Sequence, residues 1–260
     1  METITFNKHR HNIPTTPDDL TPDQYQYLLR LFNGYASGAL SLDMVRTRWF
    51  GSLVGLNGLD YKILKPERRQ GAEELAARAL GYFIRPSSGP DSLPILDITT
   101  VRNLLPEYRG YRGPGDLMFG VTFGQFVEVF TLMEQIETAH DGGAILQEVA
   151  RILYHIPSTE PVPAVLAFHA PLFFGNVWHH IMTTPVDING RSLDLSILGR
   201  KIPGDTMPDD NTGWTGVAYE VAASGIFGNL RQVEDADLWE VLLYLYKCKF
   251  EYIHQKQEKK

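Results

Sequence analysis

A mainly α-helical globular fold with a minor β element is what this sequence predicts. Apolar residues recur at the 3,4 spacing of buried helix faces, and capping boxes open two of those stretches. Signals for β-structure are confined to short stretches, the strongest being a hairpin at Asn189-Gly190. The composition agrees: 43% hydrophobic residues in 260 can bury a core, and 21% charged residues exclude wholesale disorder.

The first helix starts at Thr21-Pro22-Asp23-Gln24, a capping box with proline at the first helical position. Tyr25, Leu28, Leu29 and Phe32 follow at helical spacing, and Gly34 stands where a C-terminal cap belongs. A second helix is expected from Leu42 to about Leu56, with Val45, Trp49, Phe50 and Leu53 on one side. A third is expected from Pro66 to Tyr82, with Ala72, Leu75, Ala76 and Leu80 inward. Residues 1–84 thus form an N-terminal helical layer, and residues 85–260 a main helical domain, a division compatible with one continuous domain.

Serine, glycine and proline mark a loop from Arg85 to Pro94. Short extended pieces are expected at Ile95 to Thr99 and near Tyr108, the latter inside the turn-rich run Tyr108 to Gly115. Thr122-Phe123-Gly124-Gln125 is the second capping box, opening a helix with Phe123, Phe126, Val127, Phe130 and Met133 on its buried face. After a loop at His140 to Gly143, a helix runs from Ala144 to Tyr154. The apolar stretch Pro163 to Met182 is interrupted by Pro171 and reads as two short helices or one kinked helix. Val186-Asp187-Ile188 and Arg191-Ser192-Leu193 flank Asn189-Gly190 as hairpin strands. Lys201 to Gly213 reads as a long mobile loop, and two helices finish the chain, Trp214 to about Ala223 and Ala236 to near His254.

Several classes of function are disfavoured. No apolar run reaches the ~18 residues that span a bilayer, and the first twenty residues lack a signal-peptide core. The lone Cys248 excludes an intramolecular disulfide and a cysteine-rich zinc site. A net charge of −7 argues against nucleic acid as the main ligand. A soluble intracellular protein with no membrane or nucleic-acid partner is the expectation.

The C-terminal helix carries two apolar stripes. Leu238, Val241, Leu242, Leu245 and Cys248 form the expected core face, with Cys248 as a small core residue. Trp239, Leu243, Tyr246, Phe250 and Ile253 form a second stripe, spaced 4, 3, 4 and 3. Such a helix is either wholly buried or shared with a partner. The tail favours sharing, because Lys247, Lys249, Lys256, Lys259 and Lys260 oppose only Glu251 and Glu258. The basic end also complements the helix dipole. The outer stripe is therefore the candidate protein interface.

Catalytic chemistry is thin. His169, His179 and His180 offer imidazoles for zinc and define the alternative reading, a metal-dependent hydrolase. The HExxH pattern is absent, and adjacent His179 and His180 point about 100° apart on a helix. The glycine-rich run Gly110 to Asp116 lacks the Gly-Lys-Ser/Thr ending of a phosphate-binding loop, and Pro114 removes one of its amides. Ser224-Gly225-Ile226-Phe227-Gly228 does not place serine between two glycines and is no nucleophile elbow. No catalytic, metal or cofactor-binding residue is assigned.

Several segments together resemble a family of tail-region proteins of tailed phages and prophages of Bacteroidetes-type bacteria. Leu20-Thr21-Pro22-Asp23-Gln24-Tyr25 is similar to its opening strand followed by a helix starting L-T-x-x-Q. Leu104-Leu105-Pro106, Tyr111-Arg112-Gly113-Pro114-Gly115-Asp116 and Val121-Thr122-Phe123-Gly124-Gln125-Phe126 are similar to its central pattern. Ala150-Arg151-Ile152-Leu153-Tyr154 and Pro157 stand where that family ends a helix in LYxP, here one residue longer. Gly213-Trp214 through Ala222 to Gly228 resembles the start of its C-terminal helical pair. The resemblance implies a non-enzymatic role in virion morphogenesis, as tail assembly chaperone or structural tail or neck component. It implies tape-measure or tail-tube proteins as partners, homo-oligomers as an option, and the host cytoplasm or the virion as location.

Overall fold

The computed structural model describes residues 1–56, 65–85, 94–136, 141–188, 190–200 and 212–258. Most of the Arg85 to Pro94 loop, His140, Asn189, Lys201 to Asn211, and Lys259 and Lys260 lie outside the described residues. The fold is mainly α with short two-stranded sheets, as the sequence predicts. Two compact units divide at Thr100.

Unit 1, Met1–Thr100, opens with a hairpin of β1 (Glu2–Phe6) and β2 (His9–Ile13), with Phe6 opposite His9. Asn7 and Lys8 turn it with φ of 49° and 68°, the paired left-handed geometry that matches strand twist. Alternation along Thr3-Ile4-Thr5-Phe6 sends Ile4 and Phe6 into the core.

Helix α1 (Pro22–Ala36) begins at the expected box: Thr21 Oγ1 accepts from the Gln24 amide (3.2 Å), and Gln24 Oε1 accepts from the Thr21 amide (3.0 Å). Gly34 does not cap it. The helix runs on to Ala36, Leu40 folds over Gly34 and donates its amide to the Gly34 carbonyl (2.9 Å), and the left-handed residue is Gly38, φ 74°.

Helices α2 (Leu42–Val54) and α3 (Pro66–Gly81) complete the layer. Trp49 of α2 is fully buried, donates from Nε1 to the Ala79 carbonyl (3.3 Å) and meets Phe83 edge-on at 5.8 Å. Phe50 meets Phe6 in the same way at 5.4 Å, so α2 joins hairpin to helices. Strands β3 (Ile84–Arg85) and β4 (Ile95–Leu96) pair antiparallel.

Unit 2, Val101–Lys260, carries β5 (Glu107–Tyr108) and β6 (Tyr111–Arg112) and then α4 (Phe123–Gln135), which starts at the second expected capping box. Helix α5 (Gly142–Tyr154) packs along α6 (Ala164–Thr183). The apolar stretch around Pro171 is one continuous helix, and the proline ring is buried within it. Strands β7 (Val186–Ile188) and β8 (Arg191–Leu193) form the expected hairpin, with Ile188 opposite Arg191 and Asp187 Oδ1 accepting from the Gly190 amide (2.9 Å).

Helix α7 (Gly213–Ser224) stops at left-handed Gly225. The one-turn helix α8 (Leu230–Glu234) follows, between the last two helices that the sequence predicts; its Asn229–Gln232 capping box is the local signal for it. Helix α9 (Leu238–Glu258) ends the described chain. Phe126 sits in the aromatic core of this unit, with Phe174, Trp178 and Trp214 at 5.8, 5.1 and 5.0 Å.

A buried polar cluster organises the same unit. Asn103 Oδ1 accepts from the Leu105 amide (2.9 Å) and from His169 Nε2 (2.9 Å). Its Nδ2 donates to the Pro114 carbonyl (2.6 Å) and its backbone amide to Asp116 Oδ1 (2.8 Å). Tyr154 donates to the Leu105 carbonyl (2.7 Å), and burial pushes its phenol well above the usual range.

Gly113 lies flat against the Tyr154 ring, where a Cβ would come within 2.5 Å of ring carbons. Gly113→Ala is therefore expected to lower stability by about 1–3 kcal/mol, the usual cost of overpacking. Gly175→Ala, at an open helix position with nothing within 4 Å of the added atom, is expected to be neutral or mildly stabilising. Urea unfolding of the two variants checks this; equal stabilities would refute the packing account.

Candidate protein interface on the C-terminal helix

The start of α9 is stitched into unit 2. The Leu238 amide donates to the Val121 carbonyl (3.0 Å), the Phe123 amide to the Ala236 carbonyl (2.8 Å), and Asp237 Oδ1 caps the Trp239 amide (2.8 Å). Leu238, Val241 and Leu242 are buried. So is Trp239, which is 4% exposed, donates from Nε1 to the Leu117 carbonyl (3.0 Å) and stacks on Phe119 at 5.6 Å. Of the five stripe residues, Trp239 is thus part of the unit's own core. A buried indole needs a protein acceptor for its N–H, and the Leu117 carbonyl supplies it.

The rest of the stripe is different. Leu243, Tyr246 and Ile253 are half-buried and Phe250 is 51% exposed. No described side chain from Leu243 onward is fully buried. Cys248 is exposed, against the expectation of a core residue, because α9 has left the body of the unit before its inner stripe reaches that position. The stripe's own ring contacts stay within the helix, Tyr246 on Phe250 at 6.0 Å and Phe250 beside His254 at 6.1 Å, as does Lys256 over Tyr252 at 5.1 Å, while Tyr244, off the stripe, meets Phe227 edge-on at 5.7 Å.

The three histidines are not brought together. His169 is 1% exposed, stacks on Phe173 at 5.8 Å, and faces Asn103 Oδ1 through Nε2. Because Asn103 uses Nδ2 as donor to Pro114, its Oδ1 is the acceptor and His169 Nε2 carries the proton. Burial pushes this imidazole down to about 3, so it is neutral in the fold. His179 is exposed and His180 half-buried, and His179 lies about 15 Å further along the helix axis from His169. Among the described residues no group of three or more His, Cys, Asp or Glu is placed to hold a metal ion.

The glycine-rich run spends its amides internally. Gly113 donates to the Pro106 carbonyl (3.0 Å) and Gly115 to the Phe119 carbonyl (2.8 Å), so neither points at an anion. Ser224 donates its hydroxyl to the Val221 carbonyl (2.7 Å) and has a helix-terminal role.

A groove of about 570 Å³ lies between α4, α7 and α8, a feature the sequence reading did not anticipate. Val127, Leu132, Ala218 and Tyr219 give it apolar surface, and Glu128, Glu234 and Asp235 give it negative charge. No lysine or arginine lines it among the described residues. Its acids come from segments more than a hundred residues apart in sequence, and only the packing of α8 on α4 joins them. Gly124 permits that approach, since a Cβ there would stand 3.0 Å from the Glu234 backbone. No helix is long and apolar enough to cross a membrane among the described residues.

Comparison with protein-family models, with curated proteins and with solved structures finds no match. Function is therefore read from the geometry of the chain itself.

Trp239→Ala is expected to cost about 3–5 kcal/mol, as for a large buried aromatic. Phe250→Ala is expected to change stability by no more than about 0.5 kcal/mol, as at exposed positions. Denaturant unfolding separates the two, and equal losses would show that α9 is buried along its whole length.

His169 also gives a pH signature. Its folded pKa of about 3 lies below the unfolded value, so between about 6.5 and 3 the unfolded chain binds a proton that the fold refuses. Its contribution to stability is complete above about 6.5 and is lost as pH falls towards 3. His169→Gln removes that proton, so the stability gap between wild type and variant is expected to narrow from pH 7 to pH 4.5. Urea titrations at both pH values check this, and a constant gap would rule it out.

Proposed function

We propose that the protein is a non-enzymatic morphogenesis protein of tailed phages or prophages that works through protein–protein contacts, as a tail assembly chaperone or a structural tail or neck component. The observation that carries the contact reading is the outer part of α9, residues 243–258, whose apolar stripe the described chain covers only in part, leaving Phe250 exposed and Leu243, Tyr246 and Ile253 half-buried. A helical stretch of this length is marginal in water without a packed face. Covering Leu243, Tyr246, Phe250 and Ile253 with another protein stabilises it, and aromatic anchors commonly dominate such interfaces. The phage assignment draws on the resemblance of the central motifs. In the fold, Leu105, Pro114 and Asp116 of these motifs meet at Asn103, with Tyr154 on the Leu105 carbonyl.

The test is a photo-crosslinking residue in place of Phe250, with Met44 as an exposed control in unit 1, in cells producing particles. Crosslinks to a tail protein from position 250 are expected, with few from position 44. Mass spectrometry of purified particles then separates the two roles: copies in the particle mean a structural component, and copies only in the lysate mean a chaperone. Equal, indiscriminate crosslinking from both positions would overturn the reading.

A further inference from the structure

The outer part of α9 has the spacing of a coiled-coil seam. With Leu243 and Phe250 at a positions, Tyr246 and Ile253 fall at d positions. The flanking e and g positions are then Lys247, Lys249, His254 and Lys256, with no acid among them. Glu251 and Glu258 lie elsewhere on the helix, 3.9 Å from Lys247 and 3.7 Å from His254. In a coiled coil the e and g residues of one helix face those of its partner, so two copies of this helix set Lys249 against His254 when parallel and lysine against lysine at the g positions when antiparallel, with no acid to pair either way. The stripe is built against pairing with itself and calls for an apolar surface with an acidic rim.

Unit 2 carries such a surface. The groove between α4, α7 and α8 combines Val127, Leu132 and Tyr219 with Glu128, Glu234 and Asp235. Tyr219 is an exposed aromatic on its wall. The chain's own helix does not fill it: no α9 residue lines the groove. Helix α9 starts just past Asp235 and is unbroken from Leu238, which carries Phe250 about 18 Å along the axis.

We infer that the basic outer part of α9 docks into the acidic α4–α7–α8 groove of a second copy of this chain, giving head-to-tail association. This rests on the reading of that part of α9 as a docking face. Helix and groove lie on one unit and are distinct surfaces, so the contact is heterologous. Each bound copy leaves one helix and one groove free, and repetition gives a ring or a filament. Apolar contact by Phe250 and Tyr246 supplies affinity, while the lysines opposite Glu128, Glu234 and Asp235 set register and reject self-pairing of the helix.

Sedimentation velocity of the full chain over a wide concentration range tests this. The mass is expected to rise from the 29.4 kDa monomer through its multiples, and association is expected to weaken between about 50 mM and about 500 mM salt. Lys249→Glu with Lys256→Glu alters only the helix, and Glu128→Lys with Glu234→Lys alters only the groove. Each pair is expected to weaken self-association at least about tenfold while circular dichroism keeps the wild-type helix content. Mixed together, the two variants are expected to regain association, because the native helix of one meets the native groove of the other and the reversed charges at positions 249 and 256 oppose those at 128 and 234.

A wild-type chain that stays monomeric throughout overturns the inference. So does a groove variant that self-associates like wild type, which would mean that α9 meets some other surface. Crosslinks from position 250 to a different protein, with a monomeric pure chain, would overturn head-to-tail association and leave the docking face itself intact.

Discussion

Asn103 holds the larger unit together by a constraint that admits few alternatives. Its amide is buried, and a buried amide left without partners costs more than its hydrogen bonds return. The fold answers by bringing four groups to Asn103: the Leu105 amide, the Pro114 carbonyl, the Asp116 carboxylate and His169. The turn-rich run is thereby fixed against α5 through Tyr154, and α5 against α6 through His169. Gly113 follows from the same arrangement, since the Tyr154 ring occupies the space a side chain would need. His169 is consequently a structural donor, and the low dielectric that strengthens its bond to Asn103 also keeps it uncharged.

The second constraint lies at the loop before α4. Leu117 and Met118 are consecutive non-glycine residues at φ 54° and 60°, a conformation with a steric cost for each. Three contacts hold them there. Met118 is fully buried, the Leu117 amide donates to the Val101 carbonyl (2.8 Å), and the Leu117 carbonyl takes the indole proton of Trp239. The first turn of α9 is therefore a clamp, and Trp239 could not serve a partner without releasing that loop. This divides one helix into two functional lengths, an anchored turn ending near Leu242 and an outer part whose apolar stripe continues past the body that supports it.

Much of the architecture was legible in the sequence because it is locally encoded. The boxes at Thr21 and Thr122, the 3,4 spacing of Phe123, Phe126 and Phe130, and the turn at Asn189-Gly190 each specify structure within a few residues. The features that escaped depend on distant partners. Spacing placed Trp239 with Phe250, but only Leu117, more than a hundred residues earlier, draws the indole inward. Cys248 kept the period of the core face after the core had ended. Pro171 did not break α6, because burial along nearly the whole helix outweighs one lost backbone bond. The β1–β2 hairpin and α8 were encoded locally, in the alternation of residues 3–6 and in Asn229-Gln232. The acidic groove was not, because Glu128 and Glu234 become neighbours only when Gly124 lets α8 approach α4.

The charge distribution gives the exposed stripe its physical sense. An uncovered apolar face on a helix is ordinarily an association hazard, since any similar face will cover it. Here the hazard is limited by the flanks of the stripe itself: Lys247, Lys249 and Lys256 meet no acid at the matching e and g positions of a second copy of the same helix. The chain as a whole carries −7, yet its last fifteen residues hold five lysines against two glutamates. A basic helix end on an acidic chain is attracted to surfaces of the opposite sign at distances set by the Debye length, before any apolar contact forms. In the proposed docking, electrostatics selects the surface that α9 meets, and burial of Tyr246 and Phe250 holds it there. The order matters, because an apolar stripe by itself distinguishes poorly between partners, whereas like charges brought together at the wrong surface impose a direct penalty.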